Sequence, residues 1–173
     1  RKQRTQRREQ RIMIPRTLYD SDHEMFRDSL RKFLEVEAMP HHEQWEKDGM
    51  VSDEIWLKAG EQGFLCPMIP EEYGGLATDF RYNCIVNEEI GRSGCTGLGW
   101  TLHNDITVPY IVRYGSEEQK KKYLPRFITG ELITAIAMTE PGAGSDLQGT
   151  KTTAVLDGDH YILNGSKTFI TNG

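Results

Sequence analysis

Residues 130–173 read GELITAIAMTEPGAGSDLQGTKTTAVLDGDHYILNGSKTFITNG, and it is here that the chain changes character. Residues 132–138 are a short apolar run between Gly130-Glu131 and Glu140-Pro141-Gly142, the pattern of a buried strand. After Lys151 the signals belong to hairpins. Thr152, Thr153, Val155 and Leu156 lead into Asp157-Gly158, residues 160–163 into Asn164-Gly165, and residues 167–171 into Asn172-Gly173. Asp-Gly and Asn-Gly tolerate the positive φ that tight hairpin turns demand. The spacing predicts an antiparallel β-sheet domain that begins at residue 132 and is still unfinished at its third turn.

Upstream of this stretch the periodicity is helical. Ser21 and Glu24 form a capping-box pattern, Phe26, Leu30, Phe33 and Leu34 recur on one helix face, and Pro40 follows the predicted end. A second helix is predicted from Ser52 to Gly63, burying Ile55, Trp56 and Ala59. A third runs from Thr78 to Ile90, with Phe80, Cys84, Ile85 and Ile90 as its buried positions. Gly91, Gly94, Gly97 and Gly99 then loosen the chain before a fourth helix from Trp100 to Tyr114, closed by Gly115. Ser116 and Gln119 cap a fifth. The expected fold is mainly α with a β part: an all-helical N-terminal domain over 18–131, then the β-sheet domain over 132–173.

The net charge of −5 is unevenly spread. Residues 1–11 hold six Lys/Arg and one Glu, a local +5, so the remainder carries −10 and does not suit a nucleic-acid-binding core. Residues 1–17 read as a basic, disordered tail; an RNA-binding arm or an organelle presequence would have the same composition. No stretch approaches the roughly 20 apolar residues of a membrane span. Three cysteines without CxxC spacing suggest neither a disulfide framework nor zinc. His41-His42-Glu43 point in different directions on a helix, so no metal site is expected.

The segment that could carry chemistry is Thr139-Glu140-Pro141-Gly142-Ala143-Gly144-Ser145-Asp146. Gly142 and Gly144 would let backbone approach a ligand and turn N–H groups toward phosphate oxygens, and the Thr139 and Ser145 hydroxyls add donors. The spacing is neither a P-loop nor a dinucleotide fingerprint, because no Lys-Ser/Thr pair closes it and no third glycine opens a helix. On chemistry alone the loop is either a plain turn or an anion cradle.

TEPGAGSD followed by Leu163-Asn164-Gly165-Ser166-Lys167-Thr168-Phe169-Ile170-Thr171-Asn172-Gly173 is similar to the flavin-binding region of acyl-CoA dehydrogenases. The upstream segments PMIPEEYGG (67–75) and GSEEQKKKYLP (115–125) also resemble that family, its long-chain branch above all. The resemblance covers about residues 18–173. It implies FAD-dependent α,β-dehydrogenation of an acyl-CoA thioester, with electrons passed to an acceptor resembling electron-transfer flavoprotein. It also implies a homo-oligomer in the mitochondrial matrix or a bacterial cytoplasm. The family's C-terminal helical domain, and the glutamate base that takes the α-proton, would lie beyond Gly173. Glu88, Glu89 and Glu140 do not match that base.

Carried onto this chain, the resemblance implies that Ile136, Ala137, Met138, Thr139, Gly144 and Ser145 line FAD. Phe169, Ile170 and Thr171 would sit against the isoalloxazine, with the Thr171 hydroxyl near the hydride-accepting nitrogen. Ser145 would also lie near the substrate's pantetheine, and Gly97, Trp100 and Thr101 near the acyl pocket. Many family members have Trp where this chain has Phe169, and Phe169 with Ile170 would equally serve as hairpin core. Three other readings stay open at this point: an acyl-CoA oxidase, a flavin monooxygenase, and a non-catalytic binding or assembly fragment.

Overall fold

Asp20 starts the first helix by accepting hydrogen bonds from the Asp22 and His23 amides at 3.0 and 3.2 Å. The cap thus sits one residue before Ser21, since a carboxylate outbids a hydroxyl for backbone N–H groups. The computed structural model describes residues 16–173, so the basic run at 1–11 lies outside the described residues. Arg16, read from sequence as tail, pairs with Glu88 at 2.6 Å.

Helix α1 (Ser21–Phe33) does not end before Pro40 as the sequence suggests. A π-helical turn over Leu34–Ala38 carries it into α2, Met39–Asp48, with the Met39 amide bonded to the Leu34 carbonyl. Proline lacks a donor, and at the first turn of α2 none is needed. The same device recurs ahead of Pro109. There a π-helical turn over Leu102–Thr107 joins the Trp100–Thr101 turn to α5, Val108–Tyr114. Between them lie α3 (Asp53–Glu61), capped by Ser52 as predicted, and α4 (Phe80–Ser93), which runs straight through Gly91. Helix α6, Glu117–Ile128, carries the predicted Ser116–Gln119 capping box.

Leu30, Leu34, Ile55, Trp56, Ile85, Val86 and Trp100 form the main core. Cys66, Ile69, Tyr73, Val108, Leu124 and Phe127 form a second one beside it. Phe80, expected inside, is 54% exposed because it opens α4 on the outer face. Gly130 has φ 78°, and a Cβ there would collide with the Trp56 carbonyl, so the end of α6 can lie directly on α3. Glu89 is 3% exposed and receives Arg27 at 3.0 Å and both Arg31 donors at 3.0 Å, while Glu88 takes Arg27 at 2.8 Å. Burial pushes the Glu89 carboxyl upward, but the Arg31 and Arg27 hydrogen bonds outweigh it and hold it below the usual range. These two carboxylates tie α1 to α4.

In the β part, β1 (Thr153–Asp157) pairs antiparallel with β2 (His160–Asn164), Thr153 opposite Asn164 and Asp157 opposite His160. The loop between them is Gly158-Asp159, one residue later than the Asp157-Gly158 reading, with Gly158 at φ 64°. Two other sequence expectations need correction. Residues 132–138 pair with no strand among the described residues, and residues 167–171 form a loop instead of a third strand. Side chains and isolated backbone bonds meet some of their polar groups. Thr134 bonds to His103 and Asn172, the Met138 carbonyl accepts Lys167 Nζ at 3.0 Å, and the Thr139 carbonyl accepts the Thr168 amide at 2.9 Å.

Glu140 holds these two loops together. The turn it begins closes on itself, Glu140 N to Ala143 O at 2.9 Å and Ala143 N to Glu140 O at 3.1 Å. Its carboxylate, 7% exposed as a residue, accepts the Lys151 amide at 2.7 Å, the Thr152 amide at 2.9 Å and Lys167 Nζ at 2.9 Å. Hydrogen bonds from Thr152, the Lys151 amide and Lys167 hold its carboxyl at about 2.

Two outcomes follow for stability. Glu89→Ala leaves Arg27 and Arg31 short of a buried partner and should cost about 2–3 kcal/mol in urea unfolding; a loss near zero would mean that Glu88 alone anchors α1. Because Glu140 titrates at about 2 in the fold against an ordinary 4.5, its stabilisation is complete above 4.5 and is lost as pH falls toward 2. Glu140→Gln should remove that part of the acid dependence, read as a flatter Tm against pH between those limits; an unchanged slope would contradict it.

Candidate functional site

The two motifs, some twenty residues apart, lie side by side because Lys167 of the second pairs with Glu140 of the first. This pairing also settles what Glu140 can do. A carboxylate held by three donors, its pKa pulled down to about 2, has too little proton affinity for base work near neutral pH. Glu88 and Glu89 are likewise held by arginines.

The loops that flank the junction present hydroxyls and apolar groups outward. Ser145 and Thr171 are exposed, Thr139 is half-buried, and Met138 is 47% exposed beside exposed Ala137 and half-buried Ile136. At Gly142 and Gly144 a Cβ would meet nothing within 4 Å, so both stand open to any approaching group. Neither glycine has positive φ, so they serve access here more than backbone freedom. Phe169 is 91% exposed and sits at φ 55°, a left-handed conformation uncommon for an aromatic residue. It is therefore not hairpin core. An apolar ring in solvent on a left-handed backbone position is an uncommon combination.

Behind this surface is a cavity of about 510 Å³ at the joint between the helices and the C-terminal loop. Trp45, Met50, Val51, Trp56 and Ile133 form its apolar wall, His42, Glu46 and Asp53 its polar rim, and residues 170–173 its remaining side. Gly97 and Thr171 line it together, although the sequence reading gave them to different ligands. A Cβ at Gly97 would reach Val51 Cγ2 at 3.3 Å and narrow this space.

Two of the expected substrate contacts, Trp100 and Thr101, do not line this cavity. Trp100 is fully buried and packs on Phe33 and Trp56 at centroid distances of 6.2 and 6.3 Å. Its large ring belongs to the main core and does not line the cavity. Thr101 is exposed, and its hydroxyl donates to Asn87 Oδ1 at 2.7 Å.

Sequence reasoning missed the residues that seat the loop. Asn172, read as a hairpin turn, has φ 63° and sends its side-chain amide to the Gly99 carbonyl at 3.2 Å and the Thr134 carbonyl at 3.3 Å. Its tolerance of positive φ was the visible signal, and an anchor uses that tolerance as readily as a hairpin. His103, Trp45 and Ile133 carried no local signal, since they meet the site only through tertiary packing. Among the described residues no group of three or more His, Cys, Asp or Glu is placed to hold a metal, and no helix is long and apolar enough to cross a membrane.

Comparison with known proteins bears on this arrangement. Residues 20–131 match the family model "Acyl-CoA dehydrogenase, N-terminal domain", and residues 135–173 match "Acyl-CoA dehydrogenase, middle domain". The mitochondrial long-chain specific acyl-CoA dehydrogenase of Sus scrofa is 56% identical over 158 residues, 91% of this chain and 37% of the relative. An acyl-CoA dehydrogenase structure from Geobacillus kaustophilus superposes with a TM-score of 0.89 at 59% identity, covering 92% of this chain and 42% of that one. One from Bacillus anthracis, complexed with FAD, gives 0.81 at 40% identity over 90% of this chain and 27% of that one. The chain therefore spans roughly two fifths or less of the length of these relatives. Over nearly all its described residues, in sequence and in fold, this chain belongs to the acyl-CoA dehydrogenase family.

Proposed function

We propose that this chain forms the flavin-facing part of an FAD-dependent acyl-CoA dehydrogenase of fatty-acid oxidation, acting on medium-to-long acyl chains. The observation that carries the proposal is the joint itself. Thr171, on an exposed loop, shares one apolar-walled cavity with Gly97 of the helical half. Exposed Phe169 and Met138, the hydroxyls of Thr139, Ser145 and Thr171, and the open positions at Gly142 and Gly144 fit a planar, phosphate-bearing group. When bound there, FAD would supply a hydride acceptor for the substrate's β-carbon.

The residues have separable tasks in this reading. Ile136, Ala137, Met138, Phe169 and Ile170 give apolar surface to the ring, and Gly144 and Ser145 receive the phosphates without a side-chain obstacle. Thr139 and Thr171 offer hydroxyl donors where the ring gathers charge. The wall of Trp45, Met50, Val51 and Trp56 keeps water from the acyl chain, and Ser145 steadies the thioester's polar arm. Passage of the electrons to an electron-transferring flavoprotein fits the same reading. A relative from Acidaminococcus fermentans, solved under that heading, superposes with a TM-score of 0.83 at 37% identity. Assembly as a homo-oligomer belongs to the same proposal, in the mitochondrial matrix or a bacterial cytoplasm.

Thr171 should act on chemistry more than on folding, because its side chain is exposed in the protein alone. A hydrogen bond to a group gaining charge is worth roughly 1.5–3 kcal/mol, so Thr171→Val should slow flavin reduction in the complete gene product by about tenfold or more. The Tm without FAD should stay nearly unchanged; an unaltered reduction rate would remove Thr171 from the site. The cavity should also rank substrates. Each added methylene that it admits contributes about 0.8 kcal/mol, so specificity constants should rise from butyryl-CoA toward longer chains. Gly97→Val, which crowds Val51, should flatten that rise, and a native optimum at butyryl-CoA would contradict the assignment of this space.

A further inference from the structure

Thr134 is gripped on both sides of its own peptide. Its amide donates to His103 Nδ1 at 3.2 Å, and its hydroxyl lies 2.9 Å from the same nitrogen. On the other side its carbonyl accepts Asn172 Nδ2 at 3.3 Å. A backbone amide can only donate, so Nδ1 must carry a lone pair. Nε2 lies 3.1 Å from the Phe127 carbonyl, which can only accept, so the proton is on Nε2. His103 is fully buried among Trp56, Phe127 and Thr134, so the ring has one neutral form and one orientation available.

Asn172 completes the arrangement. Its two amide hydrogens can serve two carbonyls, Gly99 and Thr134, which belong to different halves of the chain. It does so from the left-handed region, which asparagine tolerates better than most residues. The position opposite must be glycine, because a Cβ at residue 99 would overlap the Asn172 amide oxygen. Thr134 lies two residues before Ile136, and Asn172 lies next to Thr171. Both flavin-facing segments therefore take their position from the same buried threonine peptide.

We propose that His103, Thr134 and Asn172, seated on Gly99, form a positioning latch that sets Thr171 and Ile170 relative to the cavity wall. The latch deepens the flavin reading and rests on it for its catalytic consequence, while the latch itself is a property of the protein alone. Residues 165–173 have no strand or helix of their own, so beside the Thr168–Thr139 backbone bond it is the latch and the Glu140–Lys167 pair that set their place. The two differ in function. Lys167 fixes the start of the loop against the glycine-rich turn, and Asn172 fixes its end against the helices.

The test uses the complete gene product, first without FAD, with hydrogen exchange read on residues 169–173. Asn172→Ala should raise exchange there by about tenfold while exchange in α1 and α4 stays as in the native protein. Gly99→Ala should do the same, because its methyl evicts the Asn172 amide, and the double variant should be no worse than either single one. Asn172→Asp keeps the shape and the left-handed tolerance but turns an acceptor toward two carbonyls, so it should fail as alanine does. With FAD and acyl-CoA added, Asn172→Ala should lower the rate of flavin reduction more than it alters KM.

Unchanged exchange at 169–173 in Asn172→Ala, or fully additive effects of the two alanines, would overturn the latch whether or not FAD binds. Native protein that binds no FAD while the exchange pattern holds would instead overturn the flavin reading and leave the latch standing. An equal loss of protection throughout the helices would also count against it, since that is the mark of a general stability defect.

Discussion

The arrangement of this chain depends on one buried carboxylate. Glu140 faces a positive charge and two backbone amides from residues that follow it by eleven to twenty-seven positions. A buried carboxylate without partners would cost several kcal/mol, so the chain can close this turn only where Lys167 and the 151–152 backbone come to meet it. That requirement converts two sequence motifs into one surface. At the joint, single contacts to Thr134, Met138 and Thr168 stand where the sequence predicts a ladder of strand hydrogen bonds.

The helical half has a different task, which is to be rigid where the loops lean on it. Its interior is aromatic, with Trp56 meeting both Trp100 and His103 edge-on, and its outer helices are tied by Arg27 and Arg31 to Glu89. The β part has no comparable interior. Val155, Leu156, Tyr161, Ile162 and Leu163 of the hairpin are all at least 45% exposed. A two-stranded ribbon with apolar side chains in solvent is marginal by itself. Stability and function are thus divided: the helices supply the fixed frame, and the anchored loops supply the groups that would meet a ligand.

Much of this was legible in the residues. Ser52, with Ile55, Trp56 and Ala59 at helical spacing, specified α3, and Ser116 with Gln119 specified the start of α6, because caps and periodicity are local. The glycine-rich turn and the Asn-Gly segment also stood out, through their spelling and order. What failed was whatever depended on distant partners. Pro40 marks a helix end in isolation, yet a π-helical turn lets the helix continue through it. Residues 132–138 have a strand's composition, but the Thr134 amide and carbonyl go to His103 and Asn172, and the Met138 carbonyl to Lys167. Family resemblance puts Trp100 near the acyl pocket, and its ring is drawn into the main core by the area it buries. Asn172 has one signal and two uses, a hairpin turn or an anchor, and local sequence does not separate them.

The most direct measurement is anaerobic mixing of the FAD-loaded complete gene product with palmitoyl-CoA, following oxidised-flavin absorbance. Flavin should be retained through gel filtration, and its absorbance should bleach in proportion to the acyl-CoA added. A protein that retains no flavin, or retains it with an absorbance indifferent to acyl-CoA, would contradict the assignment of these loops to a flavin-dependent dehydrogenase.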